Sequence, residues 1–343
     1  MKIIELKNAE ETIRLTHSFL KDWQNDTPII EQMTSGSTGE PKPIALAKAQ
    51  MKASAQLTGD FFQLNKCSSS LLCISPQYIG GKMLIVRSLA YDLTLTIAPT
   101  SSNPVKDLNH PIDFAAMVPL QVATILAENP EKLNLIKYLI IGGAPVSPEL
   151  EQKLQSVSCK AYATFGMTET VSHIALKRLD HKNSSYLALG NTWFETNEDL
   201  LIIHAPDLGI TSLATNDCVK LLSNKAFNWL GRADFVVNSG GVKLHPETIE
   251  KKISQYLPSH TFITVGIPDE KLGEKLVLIT TNQDLNYTQL KNKLSTVLPP
   301  YEVPKESYYL PKFELTASEK INRSATIAKL IEQLNVTHVK NKY

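Results

Sequence analysis

Six consecutive residues, Thr34-Ser35-Gly36-Ser37-Thr38-Gly39, are glycine, serine or threonine, and Lys42 follows closely. Small residues let backbone amides approach an anion, hydroxyls add donors and the ammonium adds charge. This is the composition of a phosphate cradle. It is not a Walker loop, because Pro41 stands where the second glycine would be and Pro43 replaces the hydroxyl residue that would hold Mg²⁺. On composition alone, a polar surface turn explains the run equally well. The four cysteines, Cys67, Cys73, Cys159 and Cys218, form no CxxC pair and no metal-finger spacing.

Other segments sharpen the reading. After Thr34–Pro43 come Gly142-Gly143-Ala144-Pro145, Phe165-Gly166-Met167-Thr168-Glu169-Thr170, Thr215-Asn216-Asp217, Gly231-Arg232-Ala233-Asp234, Ser239-Gly240-Gly241 and Ser318-Glu319-Lys320-Ile321-Asn322-Arg323. Each is weak alone. As an ordered series from residue 34 to 323 they resemble the adenylate-forming superfamily of acyl- and aryl-CoA synthetases, adenylation domains and luciferases. Within it, Gly166–Leu176 and Ser239–Pro246 look most like the o-succinylbenzoate–CoA ligases of menaquinone biosynthesis.

The resemblance implies two half-reactions: a carboxylate attacks the α-phosphorus of ATP to give acyl-AMP and pyrophosphate, and the thiol of CoA then displaces AMP. Such chemistry needs charge neutralisation more than proton transfer. By resemblance, Thr34, Ser35, Gly36, Ser37, Thr38, Gly39 and Lys42 would hold the β- and γ-phosphates. Thr168 would contact the α-phosphate, and Glu169 would ligate Mg²⁺, a hard cation suited to a carboxylate. Gly143, Ala144 and Pro145 would lie along the adenine and the acyl group. Asp217 would accept hydrogen bonds from the ribose hydroxyls, and Arg232 would bind ribose or phosphate. Read singly, Asp217 and Arg232 are ordinary surface-pair residues; only their place in the series lifts them. Lys320 would bridge the acyl carboxylate and the α-phosphate. Two family glycines are replaced, by Asn216 and by Glu319.

Asp234 falls at the position where relatives pivot a small C-terminal domain between half-reactions. Ser239, Gly240 and Gly241 would form the CoA-facing loop, or an ordinary tight turn between strand and helix. For the acid, Arg87 lies six residues after Gly81, where o-succinylbenzoate ligases place an arginine near the second carboxylate. An arginine on a predicted helix is otherwise an exposed residue. Ser172, His173 and Tyr78 are further pocket candidates; no histidine occurs in Pro76–Gly81, where many relatives carry one. The chain has only 33 residues before the phosphate loop, far fewer than most relatives. A compact ligase and a binding-only remnant both fit that shortening, and retention of Lys42, Glu169, Asp217, Arg232 and Lys320 favours the enzyme. The rivals are a ligase for another acid, a stand-alone adenylation enzyme loading a carrier thiol, and a non-catalytic nucleotide- or acyl-binding protein.

These residues need a frame. Apolar runs at 71–74, 93–98, 114–118 and 138–141 read as buried strands, with helices over 82–90, 119–128 and 148–155 between them. That alternation predicts an α/β fold with largely parallel strands. Helices are also expected over 7–24 and from about Leu46 to Phe62, with a strand over 27–33 and a β-rich piece over 189–222. Strands over 262–267 and 276–280, with helices over 246–256 and 287–297, predict a small C-terminal α+β domain. The expected division is 1–232 and 235–343, the adenylate-forming arrangement of a large α/β domain and a small mobile one.

The chain has 343 residues, 43% of them apolar, and Lys+Arg 35 against Asp+Glu 34 gives a net charge of +1. No bulk charge recruits nucleic acid or an anionic membrane, and no apolar run approaches the roughly 20 residues of a membrane span. With no signal-peptide core at Met1–Glu5, a cytoplasmic setting with reduced thiols is expected, and a homodimer is compatible with the family.

Overall fold

Apolar β-branched and leucine-rich runs interleaved with helices build the first unit of the protein. The computed structural model describes residues 1–33, 43–180, 184–315 and 321–340. In chain order its elements are β1 (Lys2–Glu5), α1 (Glu10–Gln24), β2 (Ile29–Met33), β3 (Pro43–Ala47), α2 (Lys48–Phe62), β4 (Ser69–Leu72), α3 (Ile79–Ala90), β5 (Thr94–Ile97), β6 (Ile112–Met117), α4 (Pro119–Glu128), β7 (Ile136–Ile141), α5 (Pro148–Leu154) and β8 (Lys160–Gly166). Strands β9 (His173–Arg178), β10 (Tyr186–Ala188), β11 (Trp193–Asn197), β12 (Leu200–Ala205), β13 (Ile210–Ser223) and β14 (Ala226–Arg232) follow.

Six strands run parallel in the order β1-β5-β4-β6-β7-β8, and β9 then pairs antiparallel with β8. Alternate residues of these strands serve different cores, as the period-2 geometry of a strand requires. Leu72, Leu95, Phe114, Ile140 and Tyr162 join residues of α1, α2 and α3 in one core. Leu71, Ala115, Leu139 and Ala161 join residues of α4 and α5 in the other. The chain leaves β4 for β5 on one side, then returns past β4 to β6. The carboxyl ends of β4 and β6 therefore flank a topological switch point, where open α/β sheets bind ligands.

The helix expected from Leu46 begins two residues later. Leu46 and Ala47 instead pair with Ile30 and Ile29 in the β2–β3 hairpin, so strand pairing takes these two from the helix.

The remaining elements are β15 (Val237–Ser239), β16 (Val242–Leu244), α6 (Pro246–Ile253), β17 (Phe262–Asp269), β18 (Gly273–Thr280), α7 (Tyr287–Leu294), β19 (Ser307–Tyr309) and α8 (Arg323–Lys340). Strands β16-β15-β18-β17 form a sheet with β19 parallel to β18. Leu276 and Leu278 pack with α6 and α7, whereas Val277 and Ile279 pack with Leu330 of α8. The chain divides into two compact units. Among the described residues, one takes 1–33, 43–215 and Lys220–Asn228; the other takes Asn216–Val219 and 229–340. The division is thus not a single break near Asp234. Asn216–Val219 and the end of β14 group with the second unit, where Thr248 Oγ1 donates to the carbonyl of Leu230 and the Arg232 amide donates to Glu247. No helix among the described residues is long and apolar enough to cross a membrane.

Arg323 anchors this second unit. Its guanidinium pairs with Glu250 with side chains 12% and 17% exposed, donates to the carbonyl of Thr264 and lies over the ring of Phe235. Breaking a buried pair leaves an uncompensated charge, so Arg323→Met is expected to cost about 3–5 kcal/mol. Urea unfolding would show it as a lower midpoint.

Candidate active site

Among the described residues, Arg87 heads the largest fully buried side chains. Helix α3 reads Ile79-Gly80-Gly81-Lys82-Met83-Leu84-Ile85-Val86-Arg87-Ser88-Leu89-Ala90, apolar around most of its circumference, and such a helix packs on all sides. Arg87 is accordingly 1% exposed rather than solvated. Its Nη2 donates to Ser172 Oγ at 3.0 Å, while its buried Nε has no hydrogen-bond partner among the described residues. No ion pair to it occurs among the described residues, and burial pushes its guanidinium down to about 9. It is still a cation at neutral pH, and a buried cation without an anion is costly.

The residues around it arrive from elements far apart in sequence. Gly166 ends β8 opposite His173, and a Cβ there would lie 2.3 Å from the Ser172 carbonyl; only glycine permits so tight a return. Between them, Thr168–Thr170 makes a single 3₁₀ turn, closed by the Met167 amide donating to Thr170 Oγ1 at 3.0 Å. Val171 follows with φ 65°, a genuine outlier for a β-branched residue. It is buried, and its strained backbone turns the chain from Glu169 to Ser172. Ser172 Oγ lies 3.3 Å from His173 Nδ1, and His173 Nε2 lies 3.1 Å from Thr58 Oγ1 on α2. Burial first, then the charge of Arg87, hold the imidazole well below its ordinary range, so it is neutral.

The structure thus brings Arg87, Ser172 and His173 together. It does not bring Tyr78 to them: Tyr78 precedes α3, is 63% exposed, and lies nine residues from Arg87, about 14 Å of helix rise. Gly142–Pro145 follow the carboxyl end of β7, with Gly143 at φ 81°. Thr168 is half-buried and Glu169 exposed, which leaves its carboxylate open to a solvated ligand. One such carboxylate fits Mg²⁺, which keeps waters and takes its other ligands from phosphates. Thr34–Lys42 and Lys320 lie outside the described residues.

A second group forms in the second unit. Asp217 is buried and accepts from the indole N–H of Trp229 at 2.8 Å. Burial raises its carboxyl above the usual carboxylate range, against the opposing effects of Trp229 and Arg232. Arg232 Nη2 donates to Asp234 at 2.8 Å, and Asn216 reaches the same carboxylate at 3.4 Å. Ser239, Gly240 and Gly241 lie at a tight turn between two strands, β15 and β16, not between strand and helix. Gly240 and Gly241 have φ of 58° and 82°, the pair of positive values that a two-residue hairpin demands.

The AMP-binding enzyme family matches residues 4–197, more than half of the chain. The protein belongs to the AMP-binding enzymes. A solved acyl-CoA synthetase (AMP-forming)/AMP-acid ligase II-like protein from Dyadobacter fermentans is 34% identical to this AMP-binding enzyme, with a TM-score of 0.63 over 95% of both chains. The o-succinylbenzoate CoA synthetase of Bacillus subtilis, solved with its acyl-adenylate intermediate, is 20% identical with a TM-score of 0.73, over 86% of this chain and 68% of that one. Its likeness is one of fold, the adenylate-forming α/β architecture. Among curated relatives, the 2-succinylbenzoate–CoA ligase of Listeria monocytogenes is 23% identical over 94% of this chain and 74% of its own.

Sequence reasoning missed Thr58 and Trp229. Trp229 lies in β14, whose Phe227 is buried, so period-2 alternation places Trp229 on the same face. Thr58 sits in a helix rich in Ala, Lys and Gln, with no signal that its hydroxyl is buried.

Proposed function

We propose that this AMP-binding enzyme is a Mg²⁺- and ATP-dependent ligase that joins o-succinylbenzoate to CoA through an acyl-adenylate. The observation that carries the acid assignment is Arg87: a fully buried guanidinium with an unpartnered Nε and no counter-ion among the described residues. A dicarboxylate supplies what the site lacks, since one carboxylate can react while the other pairs with the arginine. The names of the curated relatives and the ATP–magnesium complex of the Bacillus subtilis synthetase support the same reading.

In this reading the free carboxylate attacks the α-phosphorus, the bond to the β-phosphate oxygen breaks and pyrophosphate leaves. The CoA thiolate then attacks the acyl carbonyl and AMP departs. Thr34, Ser35, Gly36, Ser37, Thr38, Gly39 and Lys42 hold the outer phosphates, Thr168 meets the α-phosphate and Glu169 holds the magnesium ion. Gly143, Ala144 and Pro145 border the adenine. Asp217, oriented by Trp229, takes the ribose hydroxyls together with Arg232. Lys320 offsets the charge developing between carboxylate and phosphate. Asp234 serves as the hinge, Ser239–Gly241 face the pantetheine, and the protein works as a cytoplasmic enzyme.

The test is ATP- and Mg²⁺-dependent pyrophosphate release with o-succinylbenzoate, benzoate and a medium-chain fatty acid, each with and without CoA. Release with o-succinylbenzoate alone, and a CoA thioester as product, is the expected result. Equal release with the two monocarboxylic acids would refute the acid assignment, and ATP binding with no release from any acid would refute the ligase.

A further inference from the structure

The hydrogen bonds behind Arg87 have only one consistent direction. A guanidinium donates and cannot accept, so Ser172 Oγ accepts from Arg87 Nη2 at 3.0 Å. The Ser172 hydroxyl hydrogen is then free for His173 Nδ1, 3.3 Å away. A neutral imidazole that accepts at Nδ1 carries its hydrogen on Nε2. That N–H points to Thr58 Oγ1 at 3.1 Å, and Thr58 in turn donates to the carbonyl of Ser54, four residues back on α2, at 3.2 Å. The chain runs from a group that only donates to a group that only accepts, and every hydrogen between them is used once. Thr58 is 0% exposed and His173 5%, so water cannot replace either partner.

We infer that Thr58 is a positioning residue for recognition of the acid: its hydroxyl fixes the His173 tautomer, which turns the Ser172 lone pair towards Arg87 and leaves the unpartnered Arg87 Nε for the substrate carboxylate. The inference rests on Arg87 being the partner of the acid's second carboxylate. Without the Thr58 hydroxyl, the Nε2 hydrogen would be buried with no acceptor. The imidazole escapes that cost by moving its hydrogen to Nδ1, against Ser172. Ser172 then accepts from two donors, its hold on Arg87 weakens, and the guanidinium loses its fixed direction.

Thr58→Val keeps the shape of the side chain and removes the hydroxyl. The expected result is a rise of about 10-fold in KM for o-succinylbenzoate, with KM for ATP and kcat little changed, and recovery in Thr58→Ser. A loss of packing alone would not split the two KM values or be rescued by serine. Ring ¹⁵N NMR should show His173 protonated at Nε2 in the native enzyme and at Nδ1 in Thr58→Val. An Nδ1-protonated His173 in the native enzyme overturns the inference. Arg87→Met is measured in parallel. If it raises KM for the acid and Thr58→Val does not, the inference fails alone; if neither variant does, the reading of Arg87 fails with it.

Discussion

Arg87→Met is expected to raise KM for o-succinylbenzoate about 30- to 1,000-fold and, in the ligand-free protein, to raise the urea midpoint rather than lower it. The two effects have one cause. Removing one partner of a buried, hydrogen-bonded charge pair costs about 2–4 kcal/mol of binding, which sets the fold-change. Without substrate the same guanidinium is a buried charge with an orphaned Nε, flanked by a neutral serine and a neutral histidine. Methionine fills similar space and removes that charge; it loses the bond to Ser172 and the distant cation–π contact with the Phe114 ring, 6.0 Å from the guanidinium, so a net gain of about 1–3 kcal/mol is expected. This is the stability–function conflict of a site built for a ligand that is not part of the fold. A lower midpoint, corresponding to a stability loss of several kcal/mol, would mean that the arginine is compensated within the protein and waits for no anion.

Lys320→Ala should divide the reaction. On the proposed role, removing a charge that stabilises the transition state of adenylation costs about 10²–10³ in rate, while thioester formation from supplied acyl-AMP is expected to stay close to native. Rapid-quench measurement of each half-reaction separates them. Equal losses in both steps would remove the lysine from its assigned role. The conservative Lys320→Arg is a useful companion, since a guanidinium keeps charge but not the compact geometry of an ammonium.

Much of the frame was legible because it rests on periodicity. The helix expected over 119–128 spans Pro119–Glu128, with proline at the first turn where its missing N–H does no harm. The apolar run at 93–98 contains β5, and those at 71–74, 114–118 and 138–141 overlap β4, β6 and β7, each of which begins two residues before its run. Strands without such runs escaped. β1 is four residues with a charge at each end, and β8, Lys160-Ala161-Tyr162-Ala163-Thr164-Phe165-Gly166, is diluted by alanine, threonine and glycine. Both become strands through their neighbours: Ile3 and Ile4 pair with Leu95 and Thr96, and Ala161 and Tyr162 with Leu139 and Ile140. α8, Arg323–Lys340, has polar residues throughout and is fixed in part by Leu330 in the second unit's core.

The site shows the same limit. Arg87, Ser172 and His173 could be named from a linear pattern, but their contact spans 85 residues and depends on a glycine at 166 and a strained valine at 171. That Arg87 lacks a counter-ion among the described residues is a property of what surrounds it in space. Thr58 was invisible for the same reason: its hydroxyl matters only because α2 carries it to His173.

The most direct measurement compares o-succinylbenzoate with each of its two monomethyl esters in CoA-dependent pyrophosphate release. One ester blocks the reacting carboxylate and the other blocks the partner of Arg87. The diacid is expected to be converted to its CoA thioester, and both esters to fall at least about 30-fold in kcat/KM. An ester turned over as well as the diacid would show that no second carboxylate is read, and would contradict the role given to Arg87.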